Sequence, residues 1–95
     1  MQSGYGIFGG NVKGWAKLKF TPERARWVKH EEWHPDQKGN EESNGSYVLE
    51  IPYSDEREIL GDILRHGSDV EVISPSDLRT NAQMSIEKMK AKYES

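Results

Sequence analysis

The 95-residue sequence contains no cysteine, which excludes disulfides, thiolate nucleophiles and cysteine-based zinc sites. No run approaches the roughly 18 consecutive apolar residues that a membrane span needs. The start of the chain lacks the basic and apolar regions of a signal peptide. A chain of this length builds one hydrophobic core and not two. These absences predict a single cytoplasmic domain with no membrane partner.

Charge is distributed unevenly along the chain. The first 30 residues carry six Lys or Arg side chains and one Glu, whereas the remainder carries seven basic and fifteen acidic side chains. Such a split favours docking to a charged partner or to a complementary copy of the same chain. The alternative is that the two parts lie side by side in the fold and neutralise each other.

The order of apolar and polar residues predicts three helices and four strands. Strands are predicted at 15–20, 32–37, 46–53 and 70–73, with a polar loop over 38–44 and a turn at Asn44-Gly45. Helices are predicted from Thr21-Pro22 to about 29, from 54 or 55 to Gly67, and from Ser74-Pro75 onward. The order predicts an α+β fold, a ferredoxin-like βαββαβ sandwich with an additional C-terminal helix.

Two consequences follow from this order. In the ferredoxin-like arrangement the first strand lies between the third and fourth, so Lys17 and Lys19 should neighbour Glu50 and Glu71 on an open sheet face. The last helix carries an apolar stripe at spacings of four, four, three and four, which we expect to pack on the sheet or the preceding helix. A partner-facing surface is the alternative. The stripe consists of Leu78, Ala82, Ile86, Met89 and Tyr93.

The glycine-rich segment from Gly4 to Gly9 matches the G-x-G-x-x-G pattern of dinucleotide-binding loops. That pattern binds a pyrophosphate only where a strand precedes it and a helix follows it. Only three residues precede Gly4, and a strand is predicted after it. The segment is therefore interpreted as a linker, and no cofactor is expected.

Residues 30–34 match H-E-x-x-H, which in zinc proteases places two histidines one helical turn apart. Here the helix is predicted to end near residue 29, and Pro35 favours an extended His34. Two histidines four strand residues apart are separated by roughly 13 Å, too far to share one zinc ion. His66, in the last turn of a helix, is expected to be a surface residue or to face the helix dipole. No metal site is predicted.

Trp27 lies among basic residues that could form a base-stacking platform with it and with Trp33. We expect core or edge packing for Trp27, because so short a helix needs a large anchor. Base stacking beside Arg24, Arg26 and Lys29 is the alternative.

The order of several short motifs resembles the WCX domain, the C-terminal extension of bacterial WYL-domain transcriptional regulators. The motifs are Ala16 to Phe20, Pro22 to Val28, Trp33-His34-Pro35-Asp36-Gln37, Gly45-Ser46 before a strand, Leu60 to Gly67, Val70-Glu71-Val72 and Pro75 to Arg79. The resemblance implies a WCX domain over residues 14–95. Residues 1–13 would then be the tail of the linker that leaves a preceding WYL domain.

The resemblance also implies a function and partners. Family members carry an N-terminal helix-turn-helix that binds operator DNA and a central WYL domain that senses an effector, and neither is contained in these 95 residues. The WCX domain is thought to contribute to dimerisation and to the response to nucleic-acid or small-molecule effectors. The expected partners are its own WYL domain and the second protomer of a homodimer, and no enzymatic activity is expected.

Five cations are candidates for effector or partner contact, and their alternative role is a solvated or locally paired surface. They are Lys17, Lys19, Arg24, Arg26 and Arg79. The alternative function is direct binding of single-stranded nucleic acid on the open sheet face. Against it, that face is predicted to lack an aromatic pair, and Glu50 and Glu71 would repel phosphates. An enzyme is a third possibility, but no catalytic acid, base or nucleophile can be singled out.

Overall fold

The computed structural model describes residue 12 and residues 14–94. Within them, four antiparallel strands form one sheet in the order β2-β3-β1-β4, and three α-helices pack with it. The α+β prediction is confirmed. The elements are β1 (Gly14–Phe20), α1 (Pro22–Val28), β2 (Lys38–Glu41), β3 (Tyr47–Tyr53), α2 (Glu56–His66), β4 (Val70–Ser74) and α3 (Ser76–Glu94), with a single 3-10 turn (Gly67–Asp69) between α2 and β4.

Strand β1 is central and pairs with β3 on one side and β4 on the other. The register places Lys17 opposite Glu50 and Lys19 opposite Glu71, as the sequence predicted. Alternate β1 side chains are buried beneath the helices, because successive residues of a strand point to opposite faces. Each large apolar side chain that is fully buried contributes about 1.5–3 kcal/mol to folding. These are Leu18, Phe20, Val28, Leu49, Ile51, Ile59 and Leu78.

Helix α1 begins as predicted, with Thr21 as N-cap and proline at the first helical position. The Thr21 hydroxyl accepts a hydrogen bond from the Arg24 N–H at 3.2 Å, which satisfies one free donor of the first turn. Ala25 and Val28, three residues apart, form the buried face. Trp27 lies about 100° from Val28 around the helix and is 58% exposed. The expectation that Trp27 packs in the core or at an edge is therefore wrong.

The strand predicted at 32–37 is a compact turn instead. The Gln37 side chain holds it, because its amide oxygen accepts hydrogen bonds from the backbone N–H groups of Trp33 and His34. Its amide nitrogen donates to the Glu31 carbonyl at 2.9 Å. The turn directs Trp33 into the core, where it is 7% exposed. These side-chain hydrogen bonds form in place of the backbone hydrogen bonds of a strand, which Pro35 would in any case interrupt.

The segment predicted as a polar loop contains strand β2, which pairs with β3 at the sheet edge. All four β2 residues are exposed, so no apolar alternation marks the strand. Gly39 lies opposite Leu49, and the Tyr47 ring occupies the space that a side chain at Gly39 would take. The predicted turn at Asn44-Gly45 is confirmed, and Gly45 has a φ of 94° that favours glycine.

Helix α2 is confirmed, with Asp55 as N-cap and Ile59 and Ile63 as its buried residues. It ends at Gly67, whose φ is 60°. Helix α3 starts slightly later than predicted, because Pro75 accepts the first helical hydrogen bond, from Arg79 N–H, and Ser74 completes β4.

No helix among the described residues combines the length and the apolar character that crossing a bilayer would require. The glycine-rich motif over 4–9 lies outside the described residues. So does the predicted linker over 1–13, except for residue 12.

Candidate interaction surface

An apolar groove lies between the C-terminal half of α2, the edge strand β4 and the middle of α3. Its volume is about 360 Å³, within the range of pockets that hold a small molecule or a large side chain. An edge strand leaves unpaired backbone groups, so this side of the sheet is open to contact. The apolar residues that line the groove are Ile63, Leu64, Val70, Val72, Ala82, Ile86 and Met89.

The apolar stripe of α3 divides into a buried and an exposed half. Leu78 is fully buried and Ala82 is 4% exposed, so the first half packs as expected. Ile86 is 53% exposed, Met89 47% and Tyr93 90%, so the same expectation is wrong for the second half. The partner-facing alternative describes that half. We define the α3 stripe as its three exposed residues, Ile86, Met89 and Tyr93, together with Ala82, which is buried but lines the groove where the exposed half begins.

The last three turns of α3 contain no buried residue within the described part of the chain. Isolated helices shorter than about 12–15 residues are marginal in water, because helix stability depends on packing an apolar face. Contiguous exposed apolar side chains on a small domain usually mark an interaction site. The α3 stripe is therefore the surface of this domain best suited to bind another apolar surface.

Arg79 fastens α3 to the sheet edge. Its guanidinium donates to the Val72 carbonyl at 2.7 Å and forms an ion pair with Glu71 at 2.9 Å. One carbonyl of edge strand β4 is thus already hydrogen-bonded, and the Arg79 side chain forms part of the groove wall. Predicted as a partner contact, Arg79 is already engaged within the chain.

Lys17 and Lys19 lie on the open face of the sheet. Lys19 forms an ion pair with Glu42 at 3.1 Å, whereas no carboxylate of the described residues lies within ion-pair distance of Lys17. Trp15 shares this face, is 42% exposed and has the Lys38 ammonium 5.3 Å from its ring centroid. The strands of this face present one aromatic residue, so the stacking pair typical of single-strand-binding sheets is absent from the part described.

Arg24 and Arg26 flank the exposed ring of Trp27, with guanidinium carbons 5.9 and 5.7 Å from its centroid. Arg24 also forms an ion pair with Asp69 at 3.0 Å, and the Thr21 hydroxyl donates to the same carboxylate. The Arg24 hydrogen bond, and then that of Thr21, lower the pKa of Asp69 below its usual value. This contact ties the start of α1 to the turn before β4.

The five predicted contact residues therefore occupy three places: the open sheet face, the β4 edge, and a cluster of Trp27 with Arg24 and Arg26, which we call the Trp27 group. Part of the uneven charge is neutralised internally, as the alternative interpretation held. Three cations of the first 30 residues pair with acids from later in the chain, namely Lys19 with Glu42, Arg24 with Asp69, and Lys29 with Glu41. The groove was missed by sequence reasoning, although the apolar spacing that continues past Ala82 signals it.

His66 is half-buried and its ring packs against the core, so the expectation of a surface position is wrong for the ring. Its ring stacks on Trp33 at 5.5 Å and meets Phe20 edge-on at 5.3 Å. Both ring nitrogens are buried without a hydrogen-bond partner in the described structure. Burial lowers the pKa of His66, and the positive charges of Arg24 and Arg65 lower it further.

The H-E-x-x-H segment holds its second histidine in a turn, where the His34 Nδ1 accepts a hydrogen bond from the Asp36 N–H at 2.9 Å. Among residues 12 and 14–94, no group of three or more His, Cys, Asp or Glu side chains is arranged to hold a metal ion.

The fold and its surfaces define a small α+β domain with an exposed apolar face beside an edge strand. The family model of the WCX domain matches residues 13–90, and the chain belongs to that family. No curated protein matches the chain.

Proposed function

We propose that this chain is the C-terminal regulatory and interaction module of a bacterial, cytoplasmic WYL-family transcriptional regulator. The observation that carries the proposal is the WCX match over residues 13–90, nearly the whole chain. The groove and the α3 stripe support it, because an interaction module needs an apolar surface that its own core leaves open. The role is non-enzymatic, and DNA is contacted through another domain of the regulator.

The fold assignment that accompanies this proposal is the ferredoxin-like βαββαβ sandwich with an additional C-terminal helix. The strand order β2-β3-β1-β4 supports it, since split βαβ connections place the first strand between the third and fourth. In this assignment α3 is the addition, and its exposed Ile86 and Met89 line the groove beside β4.

The mechanism is a shift between two packings of the module on its neighbours. The neighbours are its own WYL domain and a second protomer of the regulator. An effector, either a nucleic acid or a small molecule, biases the paired DNA-binding domains only if it favours one packing by a different contact energy. The α3 stripe is the apolar part of that contact, and Lys17 and Arg26 are cations without an ion-pair partner among the described residues.

The gene sequence upstream of Met1 tests the proposal. We expect it to encode a helix-turn-helix and a WYL domain in the same reading frame. In the intact regulator, removal of residues 14–95 should change the effector dependence of operator binding by at least about tenfold, or about 1.4 kcal/mol. An upstream sequence without these domains, or an unchanged effector response, would contradict the proposal.

A second function, single-stranded nucleic-acid binding, is favoured by the Trp27 group. An exposed indole flanked by two guanidiniums matches the stacking platforms of single-strand-binding proteins. Titration with a short fluorescent oligonucleotide at low and moderate salt tests it. Trp27→Ala should weaken binding by about 1–3 kcal/mol, whereas Trp15→Ala, at an exposed indole on another face, should not. Equal losses would indicate non-specific charge attraction.

A further inference from the structure

We propose that the α3 stripe pairs antiparallel with the α3 stripe of a second copy, and that Tyr93 of each chain seats in the partner's groove. The proposal rests on the proposed function for its partner, a second protomer. It goes further by naming the surface, the direction and the register of the contact.

The stripe has the spacing of a coiled-coil seam. Ala82, Ile86, Met89 and Tyr93 follow one another at four, three and four residues. At 3.6 residues per turn these positions fall within about 60° of the helix circumference. Such a narrow apolar seam fits against one other helix and is too narrow to cover a sheet. Its natural occupant is therefore a second helix with the same spacing.

An antiparallel register centred between Glu87 and Lys88 matches side chains by size. It places the partner's Tyr93 opposite Ala82, and the partner's Met89 opposite Ile86. A small side chain therefore packs against a large one at both ends of the paired stripes. In the middle, Ile86 of each chain meets Met89 of the other. A parallel pair would place alanine on alanine and tyrosine on tyrosine, which leaves a gap at one end and crowds the other.

Charge also favours the antiparallel direction. Lys90 and Lys92 flank the stripe near the free end of the helix and are exposed. In a parallel pair all four lysines would lie at the same end and repel one another. In the antiparallel register, Lys90 of one chain lies across from the partner's Gln83, and Lys92 from the partner's Ser85. No like charges then face each other across the seam.

The groove supplies a seat for the aromatic ring. Ala82 has a small side chain and lines the groove together with Ile63 and Val72. The partner's Tyr93, 90% exposed in the single chain, is directed to this point by the register. Aromatic anchors that fill a partner's pocket carry much of the energy of protein interfaces. A two-fold axis repeats the contact, so the interface closes as a dimer.

The contact is reversible. Four side chains on each helix bury less than the roughly 800 Å² per partner of a standard stable interface. The 95-residue chain should therefore exchange between monomer and dimer with concentration. The test uses the 95-residue chain by itself, because its described residues form one contiguous hydrophobic core.

Sedimentation equilibrium of the 95-residue chain over a range of concentrations tests the stripe. We expect self-association that Ile86→Lys weakens at least tenfold. Met84→Lys is the matched control, because Met84 is 50% exposed on the opposite side of the same helix, and it should leave association unchanged. Circular dichroism checks that both variants fold. A chain that stays monomeric throughout, or equal effects of the two substitutions, would overturn the proposal.

Disulfide trapping tests the direction and register, since the sequence has no cysteine of its own. Gln83→Cys and Lys90→Cys flank the stripe and leave it intact. A mixture of the two variants should form the mixed disulfide under mild oxidation, because these positions face each other in the antiparallel register. Each variant alone should remain reduced. A mixture without a mixed disulfide, or self-linking by a single variant, would refute this register.

The outcomes separate this proposal from the proposed function. If the chain dimerises but its gene encodes no WYL domain, the regulatory role is contradicted and the α3 pairing stands. If the chain is monomeric but its deletion alters operator binding, the α3 pairing is contradicted and the regulatory role stands.

Discussion

Replacing His66 by Phe should stabilise the domain. The imidazole lies between Trp33 and Phe20, and both of its nitrogens are buried without a hydrogen-bond partner. A buried polar group left unpaired costs about 1–3 kcal/mol, and a phenyl ring of similar shape keeps both ring contacts. We expect His66→Phe to raise the free energy of unfolding by about 1–2 kcal/mol at pH 7.5. At about 4–8 °C per kcal/mol, the thermal midpoint should rise clearly.

The stabilisation should grow as the pH falls. The pKa of His66 is lowered in the folded protein, chiefly by burial and then by Arg24 and Arg65, although Glu31 and Asp62 oppose the shift. Below the ordinary histidine pKa of about 6.5, the unfolded chain therefore binds a proton that the folded chain excludes. Wild-type stability then decreases with falling pH, and the phenylalanine variant lacks this contribution.

Urea unfolding followed by circular dichroism between pH 7.5 and 5 measures both effects. The Asp69 carboxylate has a lowered pKa and is ionised in the folded and unfolded chains over most of this range, so it adds little to the pH profile. His30→Gln, which removes an exposed histidine, is the control and should leave the free energy of unfolding at pH 7.5 unchanged. Parallel profiles for wild type and His66→Phe, or a less stable variant at pH 7.5, would refute the reasoning.

Three further substitutions test local features by urea unfolding. Thr21→Val should cost about 1 kcal/mol because the N-cap of α1 is lost, and a neutral result would contradict that role. Gly39→Ala should destabilise the domain because its methyl group would collide with the Tyr47 ring, whereas Gly61→Ala, in open space on α2, should stabilise it by about 0.5–1 kcal/mol. Gln37→Ala should cost about 1–3 kcal/mol because two N–H groups lose their acceptor, and a smaller loss would show that water replaces it.

The sequence predicts the elements whose residues carry a clear period or a cap. Strand β3 alternates, and α1 starts at a capping threonine followed by proline. Strand β2 could not be predicted, because its four exposed residues show no apolar alternation and the sheet forms it by pairing with β3. The strand predicted just before it fails because Gln37 closes a turn by hydrogen bonds that spacing does not reveal.

Side-chain positions were harder to predict than elements. Trp27 was expected to pack in the core or at an edge and is exposed, because Ala25 and Val28, three residues apart, form the buried face of α1. His66 was expected at the surface and is half-buried, because Trp33, from a turn distant in sequence, stacks on its ring. The position of His66 depends on a contact between segments far apart in sequence. The α3 stripe could be located from spacing alone, but its exposure depends on where the sheet ends.

The central claim is that a WCX domain acts through the exposed apolar face of α3. The most direct test is the operator affinity of the full-length regulator that we propose, carrying Ile86→Lys or Met84→Lys and measured with and without effector. The account predicts that Ile86→Lys changes the effector dependence of operator affinity at least about tenfold, or about 1.4 kcal/mol, and that Met84→Lys does not. An Ile86→Lys regulator with wild-type affinity and wild-type effector response would contradict the claim.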